Sequence, residues 1–170
     1  MRGCGFFIED FHLNYKPYRS DKDYYNIRLA ETFADIQAFY YSMERFNKIS
    51  SGSKFYLIAQ LGIADILVQE AKVDAAQSVL EKLIDEGYKE FVIFDSLADI
   101  FRTKEDYAKA INYYDTALKT VAKEDRNKKW STFFVRGISY DQSGNWLKAK
   151  ADLKFALELS PNHPEILNYF

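Results

Sequence analysis

Apolar residues along this chain recur at spacings of three and four rather than two. Near the C-terminal end Phe133, Gly137 and Tyr140 form one stripe, and Ala149, Leu153 and Ala156 form a second. Each is the pattern of one helical face turned towards a core. Ser143-Gly144-Asn145 separates the stripes and reads as a turn, with Gly144 suited to the left-handed backbone that closes a helix. The pattern therefore predicts a helix, a tight turn and a second helix running back along the first. Isolated helices below about 12 to 15 residues are marginal in water, so a pair like this needs like neighbours to stack on.

Such neighbours are present. Laying the stretch from Ala64-Asp-Ile-Leu over that from Ala98-Asp-Ile-Phe aligns two copies 34 residues apart, and a third starts 39 residues later at Gly137-Ile-Ser-Tyr. The extra residues belong to the polar stretch around Lys123-Glu-Asp-Arg-Asn-Lys-Lys129. Ala64, Ala98 and Gly137 place a small residue in the first helix, with bulky Leu67, Phe101 and Tyr140 three further on. In the second helix the small residue is Ala76, Ala110 or Ala149 and its bulky partner Leu80, Tyr114 or Leu153; a later position holds Leu83, Ala117 or Ala156. These positions resemble the tetratricopeptide repeat, a helix-turn-helix unit with small residues where helices A and B cross. Only Leu83 departs from the family's alanine, and the family's closing proline survives only in the last copy, as Pro161.

The resemblance covers residues 54–163 and implies an all-α fold, a right-handed superhelical solenoid of antiparallel helix pairs. Upstream, Tyr25 to Ser50 fits a degenerate fourth copy, with Ala30 and Phe33 at helix A positions and Ser42 and Phe46 at those of helix B. Ser50-Ser-Gly-Ser53 reads as a linker. The expected organisation is an irregular aromatic-rich arm over 1–20, a degenerate repeat over 21–53, three repeats over 54–163 and the start of a further helix over 164–170. The arm carries Phe6, Phe7, Phe11, Tyr15 and Tyr18 without period and with Pro17; it either packs along the first helices as a cap or is disordered, and the aromatic content favours packing slightly. The other end closes with Ile166, Leu167, Tyr169 and Phe170, which predicts an exposed apolar edge, the mark of self-association or of a longer array. Trp130, Phe134, Arg136, Gly137, Ile138 and Tyr140, followed by Leu167-Asn-Tyr169, further resemble bacterial multi-repeat tetratricopeptide proteins.

Charge and composition narrow the function classes. A net charge of -2 removes the simple electrostatic case for nucleic acid. The single cysteine, Cys4, excludes an internal disulfide and a multi-cysteine zinc site. Every apolar run is interrupted by charge well before the eighteen or so residues of a membrane span, and the short Phe6 to Ile8 run ends at Glu9 and Asp10, so no signal peptide is expected and the cytoplasm is the expected compartment. His12 and His163 lie far apart, with no metal-ligand spacing around either. No phosphate-binding glycine loop or nucleophile elbow occurs. Asp95 and Asp99 sit four apart on one helical face, where like charges cost about 0.2–0.5 kcal/mol, and they read as a solvated charge run rather than an acid–base pair. No enzyme activity, cofactor or metal is expected. Aromatic residues make up 17% of the chain; Tyr107 and Trp146, which follow the turn in two copies, are read as packing between helices.

What the resemblance implies for function is a partner-binding wall of helix A faces. Carried onto this sequence, its positions include Asp65 and Gln69 in the first copy, Asp95, Asp99 and Arg102 in the second, and Phe134, Ile138 and Asp141 in the third. The wall lacks the lysine, arginine and asparagine set with which chaperone-binding relatives hold a terminal carboxylate. An acidic and apolar wall favours a protein or peptide with basic and apolar residues. The alternative is a helical regulatory piece of a larger enzyme such as a transferase. RNA binding by related hairpin repeats would need a basic groove, which these positions do not supply.

Overall fold

The computed structural model describes residues 21–121 and 125–169, with the backbone alone for residues 126 and 127. The aromatic arm, with Cys4 and His12, and Phe170 lie outside the described residues. Those described form α1 (Lys22–Asp35), α2 (Phe39–Phe46), α3 (Tyr56–Gln69), α4 (Val73–Asp85), α5 (Phe91–Thr103), α6 (Tyr107–Thr120), α7 (Arg126–Gln142), α8 (Trp146–Leu159) and α9 (Pro164–Leu167), with no strand among them. The chain divides into two compact units, Met1–Gly87 and Tyr88–Phe170. In the first, α1 pairs with α2 and α3 with α4, and α2 packs on α3. In the second, α5 pairs with α6 and α7 with α8, α6 packs on α7, and α9 lies against α8.

Every hairpin turns in the same way. Gln37, Ala71 and Glu105 adopt φ of 58°, 60° and 61°, and Gly144 adopts 81°. At each turn the left-handed residue and its successor donate to the last carbonyls of the preceding helix: Ala71 to Val68 and Lys72 to Leu67, for example, at 3.0 and 2.8 Å. Orphan carbonyls at the helix end are thereby satisfied. The left-handed position recurs every 34 residues at 37, 71 and 105, so the first hairpin stands in register with the clear repeats although its turn lacks glycine.

Packing follows the small positions. Ala30, Ala76, Ala98, Ala110, Ala117 and Ala156 are fully buried, and Ala64 and Ala149 nearly so. In the degenerate hairpin the buried Ser42 hydroxyl donates to the Ala30 carbonyl at 2.7 Å, joining the two crossing residues directly. At Gly137 an added Cβ would lie 3.0 Å from Leu153 Cγ. Contact is closer still at Gly62, where a Cβ would lie 2.3 Å from the ring of Phe46, so α3 offers bare backbone to a ring of α2.

Within the polar insertion, Arg126 to Lys129 form the first turn of a 17-residue α7, capped by Asp125 accepting from the Lys128 N–H at 3.0 Å. One expectation changes. Trp146 does not pack between helices: it is 63% exposed, while Tyr107 at the equivalent position is half-buried.

Candidate interaction surface

The helix A positions are best read unit by unit. On α3, Gln69 donates from Nε2 to Asp65 Oδ2 at 2.9 Å, on the exposed side of the helix. On α5, Asp99 Oδ1 accepts from the Tyr114 hydroxyl of α6 at 2.6 Å and from Arg102 Nη2 at 3.3 Å. Tyr114 is completely buried, and burial together with the adjacent Asp99 carboxylate holds its hydroxyl far above the ordinary phenol range. It stays protonated and is the donor. Burial works against the charge of Arg102, yet Asp99 and Tyr114 outweigh it and raise the guanidinium above its usual value.

Asp95 belongs to a different contact. The hydroxyl of Thr132, buried on α7, lies 3.0 Å from Asp95 Oδ1 and 2.9 Å from the Lys128 carbonyl, which ties α5 to α7. At the far end of α7, Asp141 Oδ2 accepts from the Tyr169 hydroxyl at 2.8 Å. Burial and the Asp141 carboxylate push the Tyr169 hydroxyl up to about 12. Within this unit Asp95 and Asp99 thus face separate hydroxyls.

Phe134 departs from the expected wall. It is buried with Leu153, Ala156 and Ile166 beneath α9, with its ring edge-on to Tyr169 at 6.0 Å. Ile138 is partly buried against the same cluster. The apolar part of the expected wall in the third copy is therefore core, because Ile166 of α9 occupies the space above it. The C-terminal edge is correspondingly less open: Ile166 is buried and Tyr169 is tied to Asp141, while Leu167 remains 52% exposed.

A model of the tetratricopeptide repeat-like domain matches residues 24–131. The chain belongs to that family. The match begins within α1 and so covers the first hairpin as well. Three solved structures show the same fold at low identity. A tetratricopeptide repeat protein from Parabacteroides merdae aligns with a TM-score of 0.71 at 17% identity, over 85% of this chain and 56% of its own. A chain of the APC/C hetero-tetramer Cut9–Hcn1 gives 0.67 at 20% identity, over 83% of this chain and 27% of its own. MamA from RS-1 gives 0.71 at 13% identity, over 86% and 79%. The chain thus spans little more than half of the first of these proteins and about a quarter of the second. No curated protein matches the chain in sequence.

One feature of this tetratricopeptide chain escapes sequence periodicity. Arg136 donates from Nε and Nη2 to the two oxygens of the buried Asp152 on α8, both at 2.7 Å, and from Nη1 to Asp115 on α6. Its guanidinium lies 5.0 Å from the Phe133 ring centre and 5.8 Å from that of Tyr140. Arg136 and Asp152 each stand one place before a crossing residue, Gly137 and Leu153. Opposite charges flanking two packed stripes are the sequence signal that points to them. Among the described residues no cluster of three histidine, cysteine or acidic side chains could hold a metal, and no helix is long and apolar enough to cross a membrane.

Proposed function

We propose that the chain is a non-catalytic protein-interaction module whose helix A faces present oriented carboxylates to a basic segment of a partner protein. The family assignment supports a protein partner in general. The observation that carries the finer reading is the kind of donor each carboxylate meets: Asp65 is held by the Gln69 amide and Asp141 by the Tyr169 hydroxyl. Neutral donors fix a carboxylate's orientation and leave its charge in place, so a lysine or arginine of the partner still gains the full charge-assisted bond. Asp95 and Asp99 add negative charge, with Arg102 already paired to Asp99. With Phe134 in the core, the attraction is chiefly electrostatic. One solved structure of the same fold is a chain of a hetero-tetramer, Cut9–Hcn1; for this chain a protein partner is inferred from fold and charge.

Affinity capture with the wild-type chain and with an Asp65→Lys, Asp141→Lys double variant tests the reading. Captured partners should be lost in the variant, and wild-type binding should weaken as salt rises, because exposed charges are screened beyond a Debye length of about 8 Å at physiological ionic strength. An unchanged set of partners would refute a binding role for these carboxylates.

A further inference from the structure

The outward side of α8 carries the opposite charge. Its buried stripe of Ala149, Leu153 and Ala156 leaves Leu147, Lys150 and Lys154 on the other side of the helix, with Trp146 beside Leu147. Trp146 and Leu147 are 63% and 65% exposed, more than any other large apolar side chain described in the second unit. Lys148, Lys150 and Lys154 are all exposed and none forms an ion pair among the described residues; Lys148 lies 5.2 Å from the Tyr140 ring centre. In a chain with a net charge of -2 this is a concentration of positive charge next to an apolar pair, with Glu158, exposed one turn beyond Lys154, the acidic side chain on the same side of the helix.

We propose that this face of α8 docks an acidic, apolar segment of a partner protein, with an apolar side chain seated on Trp146 and Leu147 and carboxylates meeting Lys150 and Lys154. Tryptophan is among the residues most enriched where interfaces gain their affinity, and flanking charges set which partner is accepted. Lys150 and Lys154 stand one helical turn apart, about 6 Å along the axis, a spacing that two carboxylates on successive turns of a partner helix reproduce. A lipid surface fits this face less well. An interfacial helix immerses a broad apolar face, whereas the apolar stripe of α8 is already packed in its own unit, and the large apolar side chains it leaves exposed, Trp146, Leu147 and Phe155, are interrupted by Lys148, Lys150 and Lys154. The proposal does not depend on the helix A carboxylates, which lie on other elements and attract the opposite charge.

Selection of random short peptides displayed on phage against the full chain, with parallel selection against a Lys150→Glu, Lys154→Glu variant, tests this. Enriched peptides should combine Asp or Glu with a Leu, Phe or Trp anchor, and purified peptides should bind the charge variant and Trp146→Ala roughly tenfold more weakly or worse. All three positions are exposed, so circular dichroism should show the variants as folded as the wild type. Enrichment of basic peptides, or acidic peptides that bind the variants unchanged, would overturn the proposal. So would sedimentation with phosphatidylserine-containing but not phosphatidylcholine vesicles in the absence of any selected peptide, or concentration-dependent dimerisation abolished by Trp146→Ala.

Discussion

At the scale of single residues, the turns hold three side chains in a backbone conformation that L-residues disfavour. The left-handed region costs a residue with a Cβ roughly 1–2 kcal/mol, and Gln37, Ala71 and Glu105 all stand there while only the last hairpin uses glycine. Part of the relief from a glycine is offset by the entropy it adds to the unfolded chain. Ala71→Gly and Glu105→Gly should each stabilise the protein by about 0.5–1 kcal/mol, and Gly144→Ala should destabilise it by about 1 kcal/mol. Urea midpoints for the three variants check this, and a loss of stability in both glycine variants would contradict the turn geometry. Asp115, Asp152 and Arg136 show the same residue-level logic for charge: the half-buried guanidinium is tolerated because two carboxylates and two rings surround it.

Between elements, the deciding quantity is how closely two helices approach. Gly62→Ala puts a methyl group into the Phe46 ring, which is itself buried, whereas Gly137→Ala comes no nearer than 3.0 Å, to Leu153 Cγ, a contact that a shift of a few tenths of an ångström relieves. Alanine gains roughly 1 kcal/mol of helix propensity over glycine, and overpacking costs about 1–3 kcal/mol. Gly62→Ala should therefore destabilise and Gly137→Ala should be near neutral; thermal melts that rank them the other way would refute the packing of α2 on α3. The C-terminal element adds a pH effect. With the Tyr169 hydroxyl raised from 10.0 to about 12 in the folded chain, its contribution is complete below pH 10 and fades as pH climbs through the folded value. Wild type should lose stability relative to Tyr169→Phe between about pH 10 and 12, by an amount tempered by the exposure of the group; parallel denaturation curves over that range would show that the bond to Asp141 contributes nothing. How far the sequence was legible follows the same division. Stripe spacing located the crossing alanines, because burial of small residues repeats with the helix. It could not show that the hydroxyls of Tyr114, Thr132 and Tyr169 meet Asp99, Asp95 and Asp141, since these partners lie 15, 37 and 28 residues away and period reports only which face is apolar. Tyr114 reads as bulk in the sequence, and its oxygen is invisible to the pattern. Phe134 fails for the converse reason: it stands at a wall position in the repeat, but a short helix that begins only at Pro164 covers it.

For the molecule as a whole, the division into two compact units at Gly87, which adopts φ of 97°, bears on how damage spreads. Repeat proteins gain stability from each repeat and from its interfaces with immediate neighbours, so a lesion should weaken its own unit first. Arg136 and Gly62 provide one lesion in each. Arg136→Ala leaves Asp152 buried without its cation, a change that costs about 3 kcal/mol or more, and Asp152 and Asp115 place that loss on α6, α7 and α8. Gly62→Ala acts on α2 and α3. Native-state hydrogen exchange reads both, because each amide reports the free energy of the smallest opening that exposes it. In Arg136→Ala the amides of α6 to α8 should exchange much faster, while those of α1 to α4 keep close to wild-type protection. Gly62→Ala should show the reverse. Uniform acceleration along the whole chain in either variant would mean that the chain opens as one cooperative body, and the independence of the two units would be lost.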